Sequence, residues 1–150
     1  MPGSRGTGKP VRRTASGQAD RSAVSAARAQ RDAEVEGSLG ALGEALVADA
    51  YQHAGYSVLE RNWRTPNGEL DLIVTRDGTV VFCEVKTRTS HGFGSPAEAV
   101  TRDKRERIRA LASEWLAHNR GTAKQLRFDV AAVTTRPDAE TEIEIIEGAF

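Results

Sequence analysis

Hydrophobic and polar residues alternate in two neighbouring segments of the chain, residues 68–76 and 79–86. Both segments are rich in β-branched and aromatic residues, which is typical of β-strands. Asp77 and Gly78 lie between them, and Asp-Gly in this position is a strong signal for a two-residue hairpin turn. The pattern therefore predicts an antiparallel hairpin in which Arg76 pairs with Thr79 and Asp71 faces Glu84.

The two faces of this hairpin differ in polarity, because side chains on a strand alternate with a period of two. The apolar face consists of Leu70, Leu72, Val74, Val81, Cys83 and Val85. The other face consists of Glu69, Asp71, Phe82, Glu84 and Lys86. Because the first face is so apolar, we interpret the charges on the second face as a site. A solvent-facing side that carries charges at random is the alternative.

Asp71 and Glu84 place two like charges at directly opposite positions, which is destabilising. A divalent cation compensates for this well, and Mg²⁺ commonly takes one or two carboxylates while keeping waters for a phosphate substrate. Lys86 would add a positive charge beside the metal without being a ligand. Glu69 is opposite Lys86 and is expected to be its ion partner.

Apolar residues at helical spacing predict two helices. The first spans residues 38–54, with Glu44 on a different side from the buried stripe. That stripe consists of Leu39, Leu42, Leu46 and Ala50. The second helix begins with a capping box at residues 95–98, has a break near Thr101 and continues to His118.

Further strands are predicted at residues 56–62, 124–134 and 142–146. The order of elements is then helix, three strands, helix and two strands. This order predicts an α/β fold with a mixed β-sheet flanked by α-helices. Residues 87–94, between the hairpin and the second helix, are predicted to form a mobile, glycine-rich loop open to a ligand.

Composition divides the chain into a tail and one domain. Residues 1–35 are rich in Gly, Ser, Ala and Arg, so they are predicted to be a disordered basic tail with at most transient helix. Residues 36–150 are predicted to form the domain. Residues 1–31 hold seven basic residues and one acid, although the whole chain has 21 of each. The tail is therefore either an aid to nucleic-acid binding or a solvated extension.

The single cysteine, Cys83, excludes an intrachain disulfide, and no Cys/His spacing indicates a zinc site. Its position on the apolar face predicts a buried, unreactive thiol. No apolar segment approaches the roughly 18 residues of a membrane span, and the N-terminus lacks the apolar core of a secretory signal. We expect a cytoplasmic protein without a membrane partner, and a homodimer is left open.

Asp71 followed by Glu84-Val85-Lys86 resembles the PD-(D/E)XK nuclease motif. Several surrounding segments look like the YraN family of bacterial proteins, from about residue 36 to the end. They include residues 40–45, 61–64, 68–73, 82–88, 127–130 and 148–150. The resemblance implies a restriction-endonuclease-like fold. It also implies metal-dependent hydrolysis of DNA phosphodiester bonds, with similarity to Holliday-junction resolvases.

The resemblance gives each candidate residue a role. Asp71, Glu84 and Lys86 are the expected catalytic residues, and Asp71 and Glu84 are expected to bind Mg²⁺ or Mn²⁺. Glu44 and the carbonyl of Val85 are expected as further metal ligands, Glu44 because related nucleases often place an acid from the first helix near the metal. Independently of the resemblance, the positive charge and predicted positions of Arg64, Arg88, Lys104 and Arg102 near this site make them the side chains expected to contact DNA phosphates.

Two other classes of protein remain open at this point. A nucleic-acid-binding module with this fold would bind DNA without hydrolysing it, although intact Asp71, Glu84 and Lys86 argue against a degenerate site. A structural protein would show neither affinity for DNA at low salt nor a response to metal. The form of the nucleic acid, whether branched, duplex or single-stranded, does not follow from the motif.

Overall fold

The computed structural model describes residues 16–89, 95–121 and 123–150, with side chains from residue 21 onward. The chain divides into two units, residues 1–36 and 37–150, which are considered separately. The elements in chain order are α1 (Ser16–His53), β1 (Ser57–Thr65), β2 (Gly68–Arg76), β3 (Thr79–Arg88), a short 3₁₀ helix (Pro96–Ala99), α2 (Arg102–His118), β4 (Gln125–Arg136) and β5 (Ala139–Ile146).

The five strands form one mixed sheet in the order β1-β2-β3-β4-β5. Neighbouring strands are antiparallel except β3 and β4, which are parallel and are connected through α2. A parallel connection of this kind normally needs a crossover helix. The predicted α/β fold with a mixed sheet and flanking helices is therefore confirmed.

The predicted hairpin is confirmed as β2 and β3. Arg76 pairs with Thr79, and the register runs regularly to Leu72 and Cys83. Asp77 and Gly78 have φ angles of 52° and 80°. A two-residue turn of the favoured type I′ needs positive φ at both positions, which explains the Asp-Gly sequence.

A hydrophobic cluster fills each side of the sheet. On one side, Val47, Ala48 and Tyr51 of α1 pack against side chains that include Leu72, Val74, Val81 and Cys83. On the other side, α2 buries its predicted stripe against side chains that include Leu70, Ile73, Val80 and Phe82. The buried residues of that stripe are Ile108, Leu111, Ala112 and Trp115. Each helix therefore covers one face of the sheet.

The alternation along β2 breaks at Asp71. Leu70 lies in the α2-side cluster with Phe82, whereas Leu72 lies on the α1 side. The prediction that Leu70 shares a face with Leu72 is thus wrong. Asn62, between the pairs Arg61–Leu72 and Trp63–Leu70 of β1 and β2, has a φ of 49° and changes the strand geometry at this level.

Helix α1 is longer than predicted, since residues 16–35 are helical where the composition indicated a disordered tail. Residues 1–15 of that predicted tail lie outside the described residues. Side chains 21–38 are all exposed. The helix in this segment is therefore favoured by the high helix propensity of Ala, Arg, Gln and Glu and not by burial.

The buried stripe of α1 differs from the predicted one. Gly43, Val47, Ala48 and Tyr51 are buried, whereas Leu42 is 49% exposed. A Cβ atom on Gly43 would overlap with Thr87 Oγ1 in β3, so glycine permits the close approach of helix and sheet. The helix side that packs on the sheet is therefore not the predicted one, and the next residue, Glu44, is partly buried.

The segment before α2 has the predicted break. The 3₁₀ helix ends at Ala99, and the Thr101 hydroxyl then accepts a hydrogen bond from the Lys104 N–H (3.3 Å) at the start of α2. Strand β3 continues to Arg88, so the predicted loop begins later than residue 87. Its residues 90–94 lie outside the described residues. Within the described ranges, no helix is long and apolar enough to cross a membrane.

Candidate active site

Asp71 and Glu84 meet where the regular pairing between β2 and β3 ends. The Asp71 carboxylate accepts a hydrogen bond from the Val85 N–H, with Oδ2 and N 2.9 Å apart. A side chain therefore takes the place of a backbone carbonyl in the β2–β3 ladder. Glu84 lies beside Asp71 and is only 7% exposed. The predicted juxtaposition of the two carboxylates is present in the structure.

The pKa of Asp71 is raised from 3.8 to about 7. Burial is the main cause, and the nearby charge of Glu84 is the second. The hydrogen bond from Val85 opposes this rise, and Glu44 adds to it. The charge of Glu84 therefore disfavours ionisation of Asp71, in line with the repulsion that the sequence predicted.

Two lysines surround the buried Glu84 carboxylate. Lys104 of α2 forms an ion pair with Glu84 Oε1, and the Lys86 ammonium lies 3.8 Å from the same oxygen. Burial lowers the pKa of Lys86, and the neighbouring Lys104 ammonium lowers it further. Burial acts in the same direction on Lys104 and is the largest single cause, but the hydrogen bond to Glu84 and the charges of Glu84 and Asp71 together raise the pKa. Lys104 is thus the principal partner of Glu84.

Glu44 reaches the same region from α1. Burial raises its pKa, as do the charges of Glu69 and Glu84, while a hydrogen bond with Asn62 opposes the rise. The expected proximity of this helix residue to the acidic pair is therefore present. The expectation from sequence periodicity alone, an exposed carboxylate, is wrong because the close approach at Gly43 rotates the helix.

The ion pairs of Glu69 and Lys86 differ from the prediction. Glu69 pairs with Arg64, its direct partner on β1, at 2.9 Å between Nε and Oε2. Lys86 lies near Glu84 instead. Glu69 is not paired with Lys86 across the hairpin because the recorded ladder between β2 and β3 ends at Leu72 and Cys83.

A cavity of about 240 Å³ opens beside the acidic pair. Its polar lining residues are Glu69, Asp71, Glu84, Lys104 and Arg107, and its other lining residues are Gly68, Ile108 and Leu111. Arg107 was not among the predicted site residues. It lies three residues after Lys104, so the two side chains share one side of α2, and this spacing was the signal available in the sequence.

Three predicted phosphate-binding residues, Arg64, Arg88 and Arg102, lie outside that cavity lining. Arg102 is exposed and its Nε donates to Glu106 Oε1 at 3.3 Å. Arg88 is partly buried at the end of β3, two residues beyond Lys86. Their predicted contacts with DNA stay predictions.

The donor set fits a hydrated magnesium ion. In the described part of the chain, no three His, Cys, Asp or Glu side chains are grouped so that they could hold a metal by themselves. Mg²⁺ needs fewer protein ligands, because it keeps several waters and takes one or two carboxylates. Asp71 and Glu84 supply that pair, and burial together with the charge of Glu84 raises the pKa of Asp71, so a cation beside Asp71 would favour its ionised form. The predicted roles of Glu44 and of the Val85 carbonyl as ligands stay predictions.

A second buried acid, Asp129, has a purely structural environment. It accepts hydrogen bonds from the Tyr51 hydroxyl (2.6 Å) and from two nitrogens of Arg127 (both 2.9 Å). The Gly148 N–H donates to it as well, at 3.0 Å. Burial also raises the pKa of the Cys83 thiol to about 12, which agrees with a buried, unreactive cysteine. Neither residue is a candidate for chemistry.

A mixed sheet flanked by helices, with Asp71 and Glu84-Val85-Lys86 on one hairpin, places the protein in the PD-(D/E)XK-like class. The chain belongs to the uncharacterised protein family UPF0102, whose sequence model matches residues 43–133. This is the YraN family, which is nuclease-like.

Curated relatives carry the same family name. A UPF0102 protein of Nocardia farcinica is 49% identical over 113 residues, which cover 75% of this chain and 89% of the relative. One from Beutenbergia cavernae is 48% identical over 112 residues, covering 74% and 94%. One from Moorella thermoacetica is 42% identical over 112 residues, covering 74% and 93%. Each of these three alignments covers about three quarters of this chain.

Proposed function

We propose that the protein is a Mg²⁺-dependent nuclease that hydrolyses DNA phosphodiester bonds. The observation that carries the proposal is the meeting of two carboxylates, Asp71 and Glu84, in one cavity, with Lys104 in the cavity lining and Lys86 3.8 Å from Glu84. A purely structural ion-pair cluster does not need an acid whose pKa is raised to about 7 by burial and, next, by a neighbouring carboxylate. The cost of that arrangement is explained if the site binds a cation.

Asp71 and Glu84 would hold the metal ion, which when bound supplies an activated water and neutralises charge on the phosphate. The hydrogen bond from Val85 fixes the Asp71 carboxylate, so its orientation is set before a ligand arrives. Lys86 projects from the same strand two residues after Glu84. Its ammonium group would stabilise the negative charge that develops in the transition state or orient the water.

The surroundings of the acidic pair suit a polyanion. Lys104 and Arg107 line the cavity from α2, and Arg64 lies on β1 next to Glu69. Lysine and arginine at such a cavity would contact the phosphates around the scissile bond. Branched recombination or repair intermediates are the class of DNA substrate that we propose to test first.

The test is incubation of the full chain with labelled duplex, single-stranded, flap and four-way-junction DNA in Mg²⁺ or Mn²⁺. We expect cleavage of at least one substrate, loss of cleavage in chelator, and loss of cleavage in Glu84→Gln. Asp49→Asn is the matched control, because Asp49 is an exposed acid on α1. DNA binding without metal-dependent cleavage of any substrate would favour a non-catalytic binding module and refute the proposal.

A further inference from the structure

Glu84 already has two cationic neighbours at one carboxylate oxygen, and a bound metal ion would be a third. Both Lys104 and Lys86 lie at the same oxygen, Oε1, and Lys104 is the closer of the two. Glu84 is 7% exposed, so its charge requires a partner, and Lys104 provides it. A metal ion on that carboxylate and an ammonium group in direct contact with it would repel each other strongly.

The side chain of Lys104 can move away from Glu84 while its backbone stays in place. Its backbone is fixed by the hydrogen bond to the Thr101 hydroxyl at the start of α2. Its ammonium sits on a flexible four-carbon stem, and the side chain is 36% exposed. Lys86 is similarly exposed, at 33%, but it is not among the residues that line the cavity. Displacement by a metal therefore falls on Lys104, which lines the cavity where a phosphate would lie.

We propose that Lys104 is an exchangeable counter-ion: it neutralises Glu84 until a divalent cation binds there, and it then binds a phosphate of the substrate. This inference rests on the proposed function and extends it. Metal and phosphate would bind cooperatively, since the metal replaces Lys104 at Glu84 and the phosphate takes up the released ammonium group. The site would thereby avoid both an unpaired buried carboxylate and two crowded cations.

The first arm of the test titrates Mn²⁺ alone into the full chain by calorimetry. Lys104→Met removes the competitor, so Mn²⁺ should bind about fivefold more tightly, a factor that corresponds to about 1 kcal/mol. Lys124→Met is the control, because Lys124 is exposed at the other end of the sheet, roughly 20 Å along β4. If Lys104 only orients Glu84, its loss should leave Mn²⁺ binding unchanged or weaker, which would overturn the inference.

The second arm measures binding of a hydrolysis-resistant phosphorothioate oligonucleotide. With Mn²⁺ present, Lys104→Met should weaken binding about fivefold, because a phosphate contact is lost. In chelator the loss should be less than about twofold, because Lys104 is then engaged by Glu84. An equal loss in both conditions would show that Lys104 binds phosphate independently of the metal and would overturn the exchange.

The two arms separate this inference from the proposed function. Absence of Mn²⁺ binding by the wild-type chain would refute the cation site itself, and both proposals with it. Mn²⁺ binding by the wild type together with no gain in Lys104→Met would refute the exchange alone. Lys104→Gln is measured in parallel, so that a folding defect in the methionine variant, checked by circular dichroism, still leaves a neutral substitution to decide the question.

Discussion

Asp71→Asn should make the protein more stable at pH 8 when no divalent cation is present. The wild-type residue is a largely buried acid beside Glu84 and near Glu44, and these neighbours together with burial disfavour its charge. The asparagine amide has nearly the same shape and no charge. Its carbonyl oxygen can accept the hydrogen bond that Val85 now donates to Asp71.

The size of the effect follows from the pKa of Asp71. A carboxyl pKa that moves from 3.8 to about 7 corresponds, at about 1.4 kcal/mol per pH unit, to an upper limit of about 4 kcal/mol. Asparagine still has to be desolvated, so we expect roughly half of this limit. A gain of roughly 2 kcal/mol would raise the melting temperature by about 8 °C in a domain of this size.

The gain in stability from Asp71→Asn depends on pH. The folded state holds a proton on Asp71 between about pH 4 and 7, where the unfolded state has lost it. Folding stability from this group is therefore present at low pH and is lost as the pH rises through about 7. The advantage of Asp71→Asn should accordingly be largest above pH 7 and shrink on acidification toward pH 4.

The assay is a set of thermal melts at pH 5 and pH 8, in chelator and in several millimolar Mn²⁺. Metal should raise the melting temperature of the wild type by binding the folded state, and Asp71→Asn should lose most of that rise. Asp49→Asn, an exposed acid on α1, is the control and should behave like wild type. A variant that is clearly destabilised in chelator at pH 8 yet keeps the full metal response would refute the reasoning.

Three further changes test the site, the tail and the packing of α1. Lys86→Ala should keep metal and DNA binding but lower the cleavage rate by a factor on the order of 10², measured as initial rates on the best substrate. Deletion of residues 1–35 should leave the melting temperature nearly unchanged, because side chains 21–35 are exposed, and should weaken DNA binding mainly at low salt in a filter-binding assay. Gly43→Ala should destabilise by about 1–3 kcal/mol in denaturant melts, since its Cβ would overlap Thr87. A Cβ at Gly40 would meet open space, so Gly40→Ala should instead stabilise the folded protein by about 0.5–1 kcal/mol. Equal effects of the two glycine substitutions would contradict the packing argument.

The hairpin and the acidic pair were predictable because their signals are local. Asp77-Gly78 fixes the turn, and the turn fixes the register of every later pair up to Leu72 and Cys83. The position of Glu84 beside Asp71 follows from that register. The break near Thr101 was likewise visible in the sequence, as a capping box followed by a second capping residue.

The side of α1 that faces the sheet was not predictable from hydrophobicity. Leu42 fits a helical stripe but is half exposed, whereas Gly43, with no side chain, lies at the closest contact. Hydrophobic periodicity cannot detect a close helix–sheet contact that depends on the absence of a Cβ atom. The same limit hid the inward position of Glu44, which only the resemblance to nucleases indicated.

The partner of Glu69 was missed because hairpin pairing was assumed to continue past Asp71. The ladder instead ends at Leu72, where the Asp71 side chain binds the β3 backbone, and Glu69 pairs with Arg64 on the other neighbouring strand. Period-two reasoning holds only where the backbone hydrogen bonds continue. The exception falls at the candidate site, where local rules are most often broken for function.

The two acidic centres of the protein show why one is interpreted as a site and the other is not. Asp129 is completely buried, but it accepts hydrogen bonds from the Tyr51 hydroxyl and from two nitrogens of the Arg127 guanidinium group. Its charge is therefore balanced by fixed partners. Asp71 has one backbone donor and a second carboxylate, Glu84, as its neighbour, and burial together with this neighbour raises its pKa to about 7. A carboxylate kept only for stability would be expected to resemble Asp129, because an unmatched buried charge costs several kcal/mol. The mismatch at Asp71 is the feature that the proposed cation would relieve, and Lys104, which lines the same cavity, is the residue that we propose would then bind the phosphate.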